Sequence, residues 1–236
     1  MFRRRVEVSP AIMLQRYRAG LFPMAETREA RDLFWLDPER RGILPLDHFH
    51  LPRRLRRTVL SDEYEVLVDS RFEAVIDGCA EPSPGREESW INQEIRGLFL
   101  ALHRQGHAHS VECWHAGVLC GGLYGLAIGG AFFGESMFSR RRDASKVALV
   151  HLIARLRLGG FVLLDTQFIT AHLSQFGAIE IPRAQYLNLL VAATSTDGRW
   201  SSPKEAIREA IGHMRHGNAE PDGGQGGSRE SSQAGG

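Results

Sequence analysis

Between residues 109 and 139 three runs of strand-forming residues follow one another with only two short breaks, and this constrains the fold more than any other feature. The runs are HSVECWH (109–115), VLCGGLYGLAI (118–128) and AFFGESMFS (131–139), and the breaks are Ala116-Gly117 and Gly129-Gly130. Two-residue breaks containing glycine reverse a chain tightly, so neighbouring runs must pair antiparallel. Such a meander needs cover for its faces. One helix is expected from Ser89, as cap, to about Gln105, with Gly106 past its end and Ile91, Ile95, Leu98, Phe99 and Leu102 as its apolar stripe. A second is expected from Asp143, as cap, to Leu158, closed by Gly159-Gly160.

The remaining chain alternates between the two periodicities. FVLLDT (161–166) is an unbroken apolar run, hence a central strand. AHLSQF (171–176) is a short helix, GAIEI (177–181) a strand, and Pro182 opens a helix to about Ala193. Upstream, Ser9-Pro10 caps and starts a helix that Gly20 follows, and LFPMAE (21–26) reads as irregular. FWL (34–36), RGILPL (41–46) and YEVLVD (64–69) read as strands, PRRLRRTVLS (52–61) as a short basic helix and RFEAVIDGCAE (71–81) as a helix. Pro82, Pro84 and Gly85 mark a loop and a boundary. The expected division is a small N-terminal α/β subdomain at 1–82, a main domain at 83–195, a helical extension at 196–216 and a disordered tail at 217–236. The tail has too few apolar residues to offset the entropy of ordering it. The order of elements over 89–192 is that of an acetyltransferase-like mixed sheet flanked by helices, an α+β fold.

Composition excludes several classes. With 236 residues, 43% of them hydrophobic, the chain can bury a sizeable core without staples. Cys79, Cys113 and Cys120 are odd in number and lack CxxC spacing, which argues against a disulfide framework or zinc site and suits a reducing cytoplasm. The N-terminal MFRRRVEVSP has no apolar segment behind its charges, as a signal peptide would, and no stretch reads as a membrane span. The net charge of +1 conceals three basic knots: Arg3 to Arg5; Arg53, Arg54, Arg56 and Arg57; and Arg140 to Arg142 with Lys146. Near-neutrality with local basic knots suits a grip on one polyanion at one place, although each knot alone is as readily a solvated face. The ten histidines form no ligand set, and no metal or cofactor is implied.

Two strand segments carry candidate chemistry. Glu135 lies among apolar residues in GESMF, and Asp165 and Gln167, two apart in LLDTQF, share a strand face. From spacing alone a salt-bridge partner or a helix cap is the more common role for such carboxylates. The strings SWINQEI (89–95), HAHSVECW (107–114), GGLYGLAIGGAFFGESMFSRRRDASKVAL (121–149), LLDTQF (163–168) and FGAIEIPR (176–183) together resemble the leucyl/phenylalanyl-tRNA–protein transferase family. RYRAGLFP (16–23) and FWLDPERRGILPL (34–46) resemble its N-terminal part, so the likeness spans roughly residues 9–192. The chain departs from the usual pattern at Met24, where an aromatic often follows GLFP, and at Phe34-Trp35, where a Trp pair is common.

The resemblance implies transfer of Leu or Phe, or Met, from aminoacyl-tRNA to the α-amino group of proteins beginning with Arg or Lys, in the cytoplasm and by a monomer. It makes Asp165, Gln167 and Glu135 the catalytic residues, with Gln167 held by Asp165 and Glu135 and Asp165 forming an acidic wall for the acceptor's cation. Leu123, Phe132, Met137, Leu149, Leu152 and Leu164 are matched to the apolar pocket for the donor side chain, each with core packing as the plain alternative. Trp90 and Phe99 are matched to the terminal adenosine; the basic helix with Arg53, Arg54, Arg56 and Arg57 is read, from its charge, as the contact for the phosphates of the acceptor stem. The donor is an activated ester, so positioning matters more than a strong base. The rival readings are an acyl-CoA-dependent acetyltransferase and a non-catalytic tRNA-binding module. The first lacks a glycine loop where SRRRDASKVAL stands; the second leaves the Asp–Gln pair beside an apolar pocket unexplained.

Overall fold

Ser9 accepts a hydrogen bond from the Ile12 amide and Pro10 occupies the first turn, so helix α1 runs Pro10–Arg18 as its capping signals require. The structure, a computed structural model, describes residues 8–30, 32–82 and 88–214. Pro84 and Gly85, the basic Arg3 to Arg5 and the tail at 217–236 lie outside the described residues. After α1 come β1 (Phe22–Met24), β2 (Phe34–Leu36), β3 (Arg40–Ile43), α2 (Arg53–Leu60), β4 (Glu65–Val68) and α3 (Phe72–Ala80). There follow α4 (Gln93–Arg104), β5 (Ala108–His115), β6 (Val118–Ile128), β7 (Ala131–Ser139) and α5 (Ala144–Leu158). The chain continues through β8 (Leu163–Gln167), α6 (Ala171–Ser174), β9 (Ile179–Pro182), α7 (Arg183–Thr194) and α8 (Lys204–His213).

The expected mixed sheet flanked by helices forms. It has seven strands in the order β4-β5-β6-β7-β8-β3-β9, antiparallel at every junction but β7–β8. The meander β5-β6-β7 is its centre, and β8 is interior, as its apolar run predicts. β3 and β4 are strands of this same sheet, so the boundary expected at residue 82 runs through one sheet. The first face is covered by α1, α3, α4 and α7, whose Tyr17, Ile76, Phe99 and Leu190 share a core with Tyr124 and Phe133. The second is covered by α5, which α2 and α8 cover in turn. α5 is apolar nearly all round because it is buried on nearly every side. Each fully buried Leu here contributes roughly 1.5–3 kcal/mol.

Local readings failed where a capping side chain or a short pairing decided the outcome. LFPMAE is not irregular: Phe22, Pro23 and Met24 pair with Leu36, Trp35 and Phe34 as a two-stranded sheet. Pro23 is tolerated because so short a ribbon has open edges. Asn92, not Ser89, caps α4, its side chain accepting from the Ile95 amide, while Ser89 only binds the Ile91 amide in the preceding turn. Trp90 therefore lies before the helix. Asp143 precedes α5 in a left-handed conformation and makes no side-chain cap; it pairs with Lys146 instead.

Candidate active site

The sheet opens between its two parallel strands. β7 and β8 pair only from Ala131↔Leu163 to Phe133↔Asp165, after which β7 continues to Ser139 and β8 stops at Gln167. Two irregularities force them apart. In β7, Tyr124 faces Ser136 and Gly125 faces Gly134, so Glu135 is the extra residue of a bulge. Gly125 permits it, since a Cβ there would overlap the Phe133 carbonyl and the Phe132 ring. In β8, Gln167 takes a left-handed φ of 58° and the Phe168 amide turns back onto the Thr166 carbonyl at 2.6 Å. Gly42 of β3 lies against this turn; a Cβ at that position would come within 2.7 Å of the Phe168 carbonyl carbon. Bulge and turn together leave a cleft of about 820 Å³ through the sheet, with Gly134–Ser139 on one side and Thr166–Phe168 on the other.

Asp165 lies behind the cleft wall. It is 0% exposed and receives the Arg41 guanidinium on both oxygens, Nε at 3.0 and 3.1 Å and a terminal nitrogen at 2.7 Å. Tyr186 donates to the same carboxylate at 2.6 Å, and the backbone amide of Gln167 at 2.8 Å. Arg41 also donates to the Gly20 carbonyl and lies over the rings of Phe22 and Tyr186. Burial works against the guanidinium charge, but Asp165 outweighs it and the Arg41 pKa is raised. Asp165 thus holds Gln167 through the main chain, by the backbone amide. With its amide nitrogen turned toward carbonyls, the Gln167 side chain donates to Gly134 O at 2.9 Å and Thr166 O at 3.3 Å, which leaves its oxygen to accept. That bond ties the end of β8 to the bulge of β7.

Glu135 stands in different surroundings. It lines the cleft, and its hydrogen bond comes from the hydroxyl of fully buried Tyr17 on α1, at 2.8 Å. Burial pushes its pKa up to about 8; the Tyr17 hydrogen bond opposes this, the charge of Asp165 adds to it and Arg41 opposes it. Burial also raises the Tyr17 pKa, with Glu135 reinforcing the shift. The bulge therefore presents a carboxyl that changes charge near neutral pH.

Of the expected pocket residues, Leu123, Met137, Leu149, Leu152 and Leu164 line the cleft. Phe132 does not. It is fully buried behind the wall, stacked on Trp200 at 5.4 Å and edge-on to Phe161. Trp90 lines the cleft, whereas Phe99 is buried edge-on against Tyr124 and does not reach it. The acidic wall loses one member, because Asp165 is enclosed with Arg41; Glu135 remains, with Glu81 at the cleft wall. On α2, Arg53, Arg54 and Arg57 are exposed, but Arg56 ties the helix to α8 through the Gly212 carbonyl at 2.6 Å. The third basic knot is paired residue by residue: Arg140 with Glu81, Arg141 with Glu63, and Arg142 and Lys146 with Asp143. Among the described residues no cluster of three or more His, Cys, Asp or Glu is arranged to hold a metal ion.

Sequence reasoning missed Tyr17, Arg41 and Tyr186, and it missed Phe22, Met24 and Phe168 as cleft lining. Only Arg41 left a usable signal. A carboxylate in the apolar run FVLLDT requires a buried cation, and Arg41 precedes the apolar GIL of another strand.

The family model described as leucyl/phenylalanyl-tRNA protein transferase matches residues 43–191, and the model of that family's N-terminal domain matches residues 7–39. A leucyl/phenylalanyl-tRNA–protein transferase of Rhodopseudomonas palustris (strain TIE-1) is 59% identical over 184 residues, covering 78% of this chain and 82% of the relative. Proteins of the same description from Nitrobacter winogradskyi and Paramagnetospirillum magneticum are each 59% identical. They cover 79% and 77% of this chain, and 83% and 87% of their own lengths. Among solved structures, the C-terminal domain of a lysylphosphatidylglycerol synthetase candidate from Agrobacterium fabrum matches 80% of this chain and 70% of its own, at 14% identity and a TM-score of 0.43.

Proposed function

The chain belongs to the leucyl/phenylalanyl-tRNA–protein transferase family, and from that premise we propose that it moves Leu or Phe onto proteins beginning with Arg or Lys, marking them for degradation. It is an aminoacyltransferase that takes its amino acid from aminoacyl-tRNA and delivers it to protein N-termini. No helix among the described residues is long and apolar enough to cross a membrane. The proposal places the reaction in the cytoplasm.

One observation carries the finer reading: the gap in the sheet joins an apolar wall to a titratable carboxyl. Leu123, Met137, Leu149, Leu152 and Leu164 suit an unbranched-Cβ apolar side chain, and Glu135 and Gln167 lie on opposite lips of the same cleft. In this reading the aminoacyl side chain lies on the wall and the ester carbonyl in the gap. The acceptor amine attacks the carbonyl carbon, and the bond to the ribose 3′ oxygen breaks. The Gln167 oxygen aims the amine by accepting from it. Glu135 takes the proton that the amine loses and passes one to the departing oxygen, so tRNA leaves with a free hydroxyl. An α-amino group has a reference pKa of about 7.7–8.0, so near pH 8 about half of it is neutral, and no stronger base is needed. Trp90 offers a stacking face for the terminal adenosine, and Arg53, Arg54 and Arg57 a surface for stem phosphates.

Incubation with radiolabelled Leu-tRNA and an Arg-initiated peptide should yield labelled peptide, and a Val-tRNA control should not. Acetylation of the same peptide from acetyl-CoA, without leucyl transfer, would replace this reading with the acyl-CoA one.

A further inference from the structure

The apolar wall of the cleft carries a hydroxyl where β8 nears the gap. Strand alternation turns Leu164 and Thr166 to the same face of the sheet, the one that α5 covers, while Asp165 between them turns to the other. Thr166 lines the cleft with Leu149, Leu152 and Leu164. Its hydroxyl oxygen is buried and has no hydrogen-bond partner among the described residues. An unpaired hydroxyl is unfavourable in such a place, and valine would fill the same volume without it. A ligand that brings a partner removes the penalty, and rotation between staggered positions lets the hydroxyl meet that partner.

Order along the strand says which part of a ligand arrives there. Leu164 belongs to the wall and Gln167 to the lip of the gap, so Thr166 lies between the donor's side chain and its ester carbonyl. The donor atom that joins those two groups is Cα, and its remaining polar substituent is the amino group. We propose that the Thr166 hydroxyl holds the free α-amino group of the aminoacyl donor, accepting a hydrogen bond from it. This rests on the reading that the donor's side chain lies on the wall and its ester in the gap. Gln167 and Glu135 are left to the acceptor's amine, so the two amines of the reaction meet different groups. The consequence is selectivity. The pocket tells an aminoacyl ester from a plain acyl ester of the same shape, which an apolar wall alone does not do.

The test crosses one change in the protein with one change in the donor. The intact enzyme and its Thr166→Val variant receive an Arg-initiated peptide and tRNA esterified with Leu or with isocaproate, which is Leu without its amino group. Thr166→Val should lower kcat/KM for the Leu ester about tenfold and for the isocaproyl ester by less than about twofold, with the peptide KM constant. It should melt no lower than the parent, since the hydroxyl it loses has no partner among the described residues. Thr166→Ser keeps a hydroxyl and should retain most of the parent's preference for the Leu ester. Equal losses on the two esters, no loss on either, or a Ser variant that behaves as Val does would overturn the proposal and leave Thr166 as wall packing. Failure of the parent to transfer Leu from Leu-tRNA would instead overturn the reading of the site beneath it.

Discussion

Asp165 and Glu135 occupy adjacent strands at the mouth of one gap, in opposite surroundings. Asp165 is sealed from the cleft and fully engaged by Arg41, Tyr186 and the Gln167 amide. Glu135 faces the cleft and among the described residues receives its hydrogen bond from Tyr17, and burial pushes its pKa up to about 8. The difference separates support from chemistry. A carboxylate bound by a bidentate guanidinium and two more donors has its oxygens already engaged, and what it provides is a fixed end to β8. A partly buried carboxyl whose donor among the described residues is Tyr17 provides a proton site matched to an amine.

The largest effect should come from breaking the sealed pair. Arg41→Met leaves Asp165 buried without its cation and should cost about 3–5 kcal/mol of folding stability, read by urea unfolding. Replacing both partners, Arg41→Met with Asp165→Leu, should recover more than half of that, because no unpaired charge remains. A single variant within about 1 kcal/mol of the parent would mean that the two carboxylates are not so different after all.

Glu135→Gln should do the reverse, slowing transfer about a hundredfold while stabilising the fold. The sign follows from linkage. Folded Glu135 holds its proton up to about pH 8, whereas an unfolded Glu releases it near its ordinary value. The parent thus loses stability, relative to the neutral Gln variant, as pH rises from about 4.5 to about 8, and no further above that. Melting curves of both proteins at pH 5, 8 and 9.5 should show the variant's advantage growing over the first step and nearly level over the second. A constant difference would show that Glu135 has an ordinary pKa.

How much of this was legible in the sequence follows from the range of the interactions. The meander, both long helices and the interior β8 were readable because glycine turns and apolar periodicity act over a few residues, while the side-chain caps expected at Ser89 and Asp143 did not form. Glu135, Gln167 and the leucines of the wall came from family likeness, and five of the six pocket residues do line the cleft. Phe132 failed because burial in a core and burial in a pocket give the same apolar pattern; Trp200, which packs on it, lies 68 residues away in sequence. Tyr17 and Arg41 reach their carboxylates across 118 and 124 residues; the apolar run around Asp165 calls for a cation, but nothing local announces Tyr17. The bulge that turns Glu135 into the gap was equally hidden, since it depends on the register of β6 against β7.

A carboxylate introduced between the two would sharpen the contrast. Gln167→Glu keeps the shape at the end of β8 but replaces the amide that donates to Gly134 O with an acceptor, and it adds charge close to Glu135. Transfer from preloaded Leu-tRNA in a single turnover should fall about tenfold near pH 7, equivalent to about 1.4 kcal/mol. A Glu variant as fast as the parent would show that position 167 serves as a proton acceptor, and that the division of labour lies elsewhere.

The smallest effect is the most specific one. Tyr17→Phe deletes the hydroxyl that donates to Glu135, while the ring remains to pack edge-on against Phe133 at 4.9 Å. That hydrogen bond favours the charged carboxylate, so its loss moves the Glu135 pKa further upward. If the carboxylate takes the amine proton, the rising limb of the single-turnover rate against pH must shift toward alkaline pH. The expected loss is about threefold at pH 7.5, disappearing by about pH 9.5, where both proteins are fully ionised at this position. Tyr186→Phe is the matched comparison, since it removes the same kind of donor from Asp165. Arg41 still engages both Asp165 oxygens in that variant, so its profile should keep the parental midpoint, whatever it loses in stability. Equal shifts in the two variants would place both carboxylates in the proton path. A shift for Tyr17→Phe alone leaves Glu135 as the group that titrates during transfer and Asp165 as the anchor behind it.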